Sequence, residues 1–331
     1  MPSNDSAVIE VKDVRKRFRT YKVKGSGALG ILFNRQHFYK KALRGVSFKV
    51  RGGEIVALLG KNGSGKSTIV KIMTGIIRPD SGDVRLFGMR PWEDRMNIAS
   101  QIGVVLGATH TQLYWDLPPF DTFLLMKEIY GIEDKAFRAR LRYFVRLLGI
   151  GDVYRRQTRT LSLGERMKCE LLSQILHMPK IVFMDEPTIG VDLPSRLALK
   201  EAMNKIRTEN GTTFMITTHV VEDVTDVDRI ILMDKGRVLF DDTQERLRSI
   251  FAKSLHVIVY SRADLSGQCK RYGKITEAGQ GFVKFTIAPS VLKRRRFQNF
   301  ITGSDVSDFR ISEPTMGELL RALYSKAERG R

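Results

Sequence analysis

Residues 60–68 read GKNGSGKST, Gly60 to Thr68, and this stretch decides the fold. The apolar run IVALL, Ile55–Leu59, leads into it, and TIVKIMTG (68–75) leads out with helical spacing. Strand, glycine-rich loop and helix together form the context in which G-x-x-x-x-G-K-[ST] wraps a phosphate chain. Gly60, Gly63 and Gly65 let the successive N–H groups of the loop, through Lys61, Asn62 and Ser64, turn toward an anion. Lys66 adds a point charge. Ser67 and Thr68 open the helix, and the Ser67 hydroxyl is of the type that ligates Mg²⁺ beside a phosphate.

Outward from this loop, the pattern alternates strands and helices. KIVFMDEP (180–187) is a buried strand that delivers Asp185 and Glu186 to its carboxyl end. In open α/β sheets that is the end where ligands bind. Asp185 is suited to hold Mg²⁺ through water, and Glu186 to orient and polarise an attacking water. FMITTH ends in His219, on a strand expected beside that of Asp185 and within reach of a γ-phosphate. AVIEVKDV (7–14), ALRGVSFKV (42–50), QIGVVLG (101–107), TTFMITTH (212–219) and RIILMDKGRVLF (229–240) read as further strands. Phe137, Leu141, Phe144, Val145 and Leu148 share one helix face, so about 112–165 reads as a helical subdomain. After residue 250 the period returns to strand alternation in SLHVIVYS and GFVKFTIA, then a final helix. The expected organisation is an α/β nucleotide-binding domain, 1–250, and a small α+β domain, 251–331. Residues 22–41 read as a basic insertion with a short helix.

A second helix mouth is harder to place. LSLGERMK (161–168) sets Ser162 as a cap and Gly164 behind it, so free N–H groups and the helix dipole favour an anion there. No lysine at a loop-to-helix turn, no metal ligand and no preceding strand accompany it.

Taken together, these pieces resemble the ATP-binding cassette family, the ATPase subunits of ABC transporters. The match runs over about residues 8–245: a P-loop at Gly60–Thr68, a signature motif at LSLGE (161–165), a Walker B strand ending in Asp185 and Glu186, a D-loop at IGVD (189–192), and a switch histidine at His219. The resemblance implies a P-loop NTPase (RecA-like) core with antiparallel β and helical subdomains, plus the small C-terminal domain. It implies ATP and Mg²⁺ as ligands, with Ser67 and Asp185 toward the metal, and catalysis by Glu186, His219 and Lys66. In that family two cassettes pair head to tail, so Ser162, Leu163, Gly164, Glu165 and Asp192 would act on ATP bound by a second cassette, expected to be another copy of this chain. An aromatic after the first strand stacks on adenine in such proteins; Phe18 fits, with Tyr21 as the alternative.

The sequence departs from the family pattern at two places. Leu163 and Glu165 stand where Gly and Gln are usual. The glutamine expected after the QIGVV strand is absent from its place: Thr109 falls there, and Thr109, His110, a displaced Gln112 or water is left to fill the role. QLYWDLP, FLLMKEIYG and the tail ISEPTMGELLRALY resemble ATPases that serve ABC-2 type exporter permeases, and the 22–41 insertion resembles one in ATPases of polysaccharide exporters. A membrane permease is therefore the implied partner, at the cytoplasmic face of the cell membrane.

The net charge of +20 over 331 residues is consistent with a polyanionic neighbour. Twelve cations and no acid lie between Asp13 and Glu54, which makes anionic lipid a candidate partner. The competing reading is a soluble cassette acting on nucleic acid or the ribosome; the single cassette and the lack of a long coiled coil argue against it. A third is a cassette that binds ATP without hydrolysing it, against which Glu186 and His219 stand. Cys169 and Cys269 are too few and too far apart for a disulfide framework, which suits a reducing cytosol. No run approaches the length needed to span a bilayer, and MPSNDSAVIEVKD carries no leader pattern.

Overall fold

The computed structural model describes residues 7–23, 35–107, 111–251 and 254–329. The chain divides into two compact units, Met1–Asp242 and Thr243–Arg331. The division falls a few residues before the expected boundary at 250. The helix Gln244–Phe251 packs on the helix Met316–Arg329, and so belongs to the second unit.

In the first unit, β1 (Ala7–Val23) and β2 (Arg35–Arg51) make one long antiparallel hairpin, paired from Ala7↔Arg51 out to Val23↔Arg35. The ends of the 22–41 insertion therefore extend two strands. Residues 35–41 pair in register with 17–23, and a short helix is excluded at 35–41; residues 24–34 lie outside the described part. β4 (Ser81–Leu86) completes a three-stranded sheet in the order β2-β1-β4.

The second sheet carries the chemistry. It holds β3 (Ile55–Leu59), β5 (Ile102–Val105), β6 (Ile181–Asp185), β7 (Thr213–Thr218), β8 (Arg229–Asp234) and β9 (Arg237–Asp242), in the order β5-β6-β7-β3-β8-β9. All neighbours are parallel except β8 and β9. RIILMDKGRVLF is thus two strands rather than one: Lys235 (φ 47°) and Gly236 (φ 77°) both take left-handed conformations, which a tight hairpin turn requires. β3 is buried at all five positions, as strands of a parallel sheet covered on both faces are. The core between the sheets joins Val11, Val14 and Val46 of the hairpin to Val56, Leu58, Phe183, Met215 and Met233, and to Ile69, Ile72 and Met73 of α1 (Lys66–Met73).

α2 (Arg95–Ala99) precedes β5. The helical subdomain consists of α3 (Pro119–Ile129), α4 (Asp134–Leu148) and the start of α5 (Leu163–Ile175). Phe137, Phe144 and Leu148 of the predicted face are buried, while Leu141 and Val145 are half-buried. α6 (Leu193–Asn210) follows β6. Cys169 and Cys269 are buried free thiols.

The second unit begins with α7 (Gln244–Phe251) and builds an antiparallel sheet in the order β11-β12-β10-β13 from β10 (Leu255–Tyr260), β11 (Lys274–Gly279), β12 (Phe282–Ile287) and β13 (Asp308–Ser312). With α8 (Ser266–Cys269), α9 (Pro289–Leu292) and α10 (Arg295–Ile301) the order is β-α-β-β-α-β, the split βαβ arrangement. Val257, Val259, Phe285 and Ile287 pack there on Leu265, Cys269, Val291 and Phe297. α11 (Met316–Arg329) ends the described chain, and its Glu318 pairs with Lys284 at 3.1 Å.

Candidate nucleotide-binding site

Sheet register sets the geometry. Leu59 pairs with Thr218, and Asp185 with Thr217, so the glycine loop, Asp185, Glu186 and His219 emerge at one edge. The Gly60 N–H donates to Thr218 O (3.2 Å), tying the start of the loop to β7. Gly65 has φ 109°, and a Cβ built on it would come within 2.8 Å of Leu43 and 2.9 Å of Ala42 O; only glycine fits under the hairpin. Residues 62–63 and 65–68, Leu106, Gly107, Asp185, Glu186 and Ile189 line one open cleft.

Lys66 is 5% exposed, and its Nζ donates to Gly60 O (2.6 Å) within the curl of the loop. Burial lowers its pKa from the ordinary value, while Glu186 and Asp185 oppose that shift. Lys66 Nζ is 3.8 Å from Glu186 Oε1, and His219 Nδ1 is 3.0 Å from the same oxygen. Thr217 serves both acids: its hydroxyl bonds Asp185 Oδ1 and accepts from the Glu186 N–H (3.1 Å). Glu186 takes φ 51°, a conformation that costs a non-glycine residue about 1–3 kcal/mol. The cost is retained next to Lys66 and His219, where the side chain is aimed into the cleft.

Behind His219 lies a network that sequence reasoning missed. Buried Asp223 accepts from Thr188 Oγ1 (2.5 Å) and Thr218 Oγ1 (2.6 Å), joining the segment after Glu186 to the segment that carries His219. The adjacent threonines of ITTH were its only trace in the sequence.

The donor set fits Mg²⁺. Ser67 and Asp185 face one cleft, and no cluster of three His, Cys, Asp or Glu side chains gathers to cage a metal among the described residues. Mg²⁺ keeps waters and phosphate oxygens and needs only one or two protein oxygens. Gln112 does not line the cleft; its Oε1 is buried without a partner. Thr109 and His110, and with them that part of the expected glutamine loop, lie outside the described residues. Phe18 stands outside the phosphate cleft, 40% exposed on β1 with Lys16 Nζ 5.8 Å from its ring. Nothing of the Tyr21 side chain is described.

Ser162, Leu163, Gly164, Glu165 and Asp192 are not in the cleft. They form a second centre, where two helix mouths abut. Ser162 caps α5: its Oγ accepts from the Glu165 N–H (3.2 Å), and Glu165 Oε2 accepts from the Ser162 N–H (2.8 Å), a reciprocal capping box. Asp192 caps α6 through the Ser195 N–H (2.9 Å), and this bond helps hold its carboxyl below the usual range. Gly164 was expected to admit a ligand, and its first neighbour is Ser195. A Cβ on Gly164 would collide with the Ser195 hydroxyl and reach 2.9 Å from Asp192 Oδ2. Leu163 meets Gly190 in the same way.

A lysine-bearing glycine loop on a parallel strand, with Asp and Glu ending a strand of the same sheet, defines a P-loop nucleoside triphosphatase. Comparison with known proteins narrows the class. The family model described as ABC transporter matches residues 43–189. The ABC transporter ATP-binding protein NatA of Bacillus subtilis (strain 168) is 28% identical over 208 residues, 62% of this chain and 84% of that protein. The linearmycin resistance ATP-binding protein LnrL of the same organism is 28% identical over 63% of this chain and 67% of its own length. The daunorubicin/doxorubicin resistance ATP-binding protein DrrA of Streptomyces peucetius is 29% identical over 63% of each chain. Among solved structures, an ATP binding subunit of an ABC transporter superposes with a TM-score of 0.60 at 25% identity, covering 74% of this chain and 93% of that one. Residues 43–189 thus carry an ABC transporter domain, and the chain is an ATP-binding, ATP-hydrolysing protein similar to the ATP-binding subunits of ABC transporters. No helix among the described residues is long and apolar enough to cross a membrane.

Proposed function

We propose that the chain hydrolyses ATP at two composite sites of a head-to-tail pair of its own copies, and so drives a separate exporter permease at the cytoplasmic face of the membrane. One observation carries this reading: the cleft with Lys66, Asp185 and Glu186 lacks the second anion-binding centre, whose capped helix mouths lie elsewhere on the same chain. Two copies supply each cleft with the missing half. The Ser162 hydroxyl accepts from Glu165 N–H within its own chain, and its proton stays available to donate to a phosphate of the partner.

In this reading the loop N–H groups and Lys66 hold the β- and γ-phosphates, and Lys66 exchanges Gly60 O for phosphate oxygen. Phe18 stacks on adenine. Mg²⁺ at Ser67 and Asp185 would offset the phosphate charge. Glu186 orients and polarises the attacking water, and His219 fixes the Glu186 carboxylate and reaches toward the γ-phosphate. The resistance functions of LnrL and DrrA support export. A permease helix fits the apolar run that the helical subdomain leaves exposed: Tyr114, Trp115, Leu117, Leu124, Leu125 and Ile129.

The test is complementation. Ser162→Arg and Lys66→Ala should each abolish turnover in the pure state, and a mixture should regain activity from dimers with one intact site. Ser162→Arg should bind ATP as a monomer with near-normal affinity. A mixture as dead as its parts would overturn the composite site.

A further inference from the structure

The hairpin register sets like charges face to face. Arg15 pairs with Arg44, and Arg17 with Lys41. Like charges directly opposite on antiparallel strands repel and destabilise the pair. These four cations, with Lys16 and Arg237, line a second cleft in the first unit, one that shares no residue with the phosphate cleft. The acids nearby do not balance them. Among the described residues, Asp80 is the only carboxylate in the cleft wall, and it is taken by Lys16 (2.9 Å) and Arg17 (3.8 Å); Arg15 holds Asp13 (2.9 Å). Among the described residues, no ion pair is found for Lys41, Arg44 or Arg237. Nucleotide chemistry does not account for this charge, since the phosphate loop has its own lysine and helix mouth.

We propose that this cleft binds the phosphate headgroup of an anionic lipid, an inference that rests on the chain working at a membrane surface. A guanidinium fork matches the geometry of a phosphate better than a point charge such as an ammonium does, and four of the six cations are arginines. A headgroup between Arg15 and Arg44 would relieve the cross-strand repulsion. The same hairpin continues past the cleft into exposed rings: Tyr39 (63% exposed) lies opposite Arg19, with the Arg17 guanidinium 5.2 Å from its ring, and Phe38 is 40% exposed. A tyrosine and a phenylalanine flanked by cations are the residues that settle at a headgroup boundary. The phosphate is thus supplied with a charged cleft, and the acyl-chain boundary with an amphipathic edge, on one element.

The experiment uses the full chain and sedimentation with phosphatidylcholine vesicles, with or without phosphatidic acid, at about 150 mM salt, where long-range attraction is screened. Lys41→Gln/Arg44→Gln/Arg237→Gln should bind the anionic vesicles about 10²-fold more weakly, from about a fivefold effect per cation. Its ATPase activity in solution should stay at the parent level, so that failure here is distinguishable from failure of the ATPase reading. The charge-matched variant Arg294→Gln/Arg295→Gln/Arg296→Gln, altered at exposed positions of the second unit, should bind vesicles as the parent does. Equal losses in both variants would show bulk charge and overturn the cleft. Inorganic phosphate at millimolar concentration should not displace the parent from vesicles. If the cleft variant keeps vesicle binding and loses affinity for inorganic phosphate or for single-stranded RNA, the lipid assignment is wrong.

Discussion

His219 Nδ1 lies 3.0 Å from Glu186 Oε1, so the histidine and the acid that end two neighbouring strands meet directly. In the proposed mechanism this contact positions the Glu186 carboxylate. Glu186→Gln keeps the shape and removes the base, so ATP should bind while turnover falls by about 10²-fold or more. The variant should accumulate as an ATP-bound dimer on gel filtration. His219→Ala should lower kcat with a smaller change in ATP affinity, because Lys66 and the loop remain.

Gly164 is required by packing as well as by any phosphate. Gly164→Ala drives a methyl group into Ser195 and toward Asp192, and should destabilise the first unit by about 1–3 kcal/mol. Ser195→Gly in the same chain should restore the melting temperature, because both Ser195 atoms that crowd the new methyl are removed. Failure of that rescue would place the constraint elsewhere.

Glu170, on α5 behind the signature residues, is 2% exposed, and burial pushes its carboxyl up to about 7. It accepts hydrogen bonds from the Thr111 side chain and the Gln112 backbone, with Arg166 the charged group that faces it. A folded-state value above the ordinary 4.5 means that folding favours the protonated acid. The contribution is full below pH 4.5 and is lost as pH rises toward 7 and beyond, by about 3 kcal/mol in total. Glu170→Gln cannot ionise. Its melting temperature relative to the parent should therefore rise as pH goes from about 5 to about 8. A difference that stays flat with pH would remove Glu170 as the titrating group.

The permease contact is testable on the rim of the helical subdomain. Trp115 is half exposed, with the Arg166 guanidinium 5.6 Å from its ring, and Ile129 is 61% exposed. Trp115→Ser/Ile129→Ser should leave solution ATPase near the parent rate and lose co-purification with the permease. Retained co-purification would move the docking surface off this face.

The phosphate cleft was legible in the sequence because its chemistry is local. Gly60–Thr68 are consecutive residues of one loop, and Asp185 and Glu186 end one strand. The parallel sheet followed from apolar runs such as IVALL. What escaped reading depends on contacts between distant residues. Ser195 against Gly164, and Asp223 between Thr188 and Thr218, leave no periodic trace. Glu170 looks like a surface acid until α5 is packed. β11 and β13 are largely exposed, so they lack the alternation that revealed β10 and β12. The hairpin around 22–41 was obscured by its glycines and its density of charge.

The distance in the fold between Lys66 and Ser162 has a kinetic corollary. If each reaction needs the cleft of one copy and the helix mouth of another, turnover by free chains is second order in protein. Dilute, unassembled subunits would then leave the cell's ATP almost untouched. Two copies held side by side by a membrane partner would meet at a high effective concentration, and fuel use would begin with assembly.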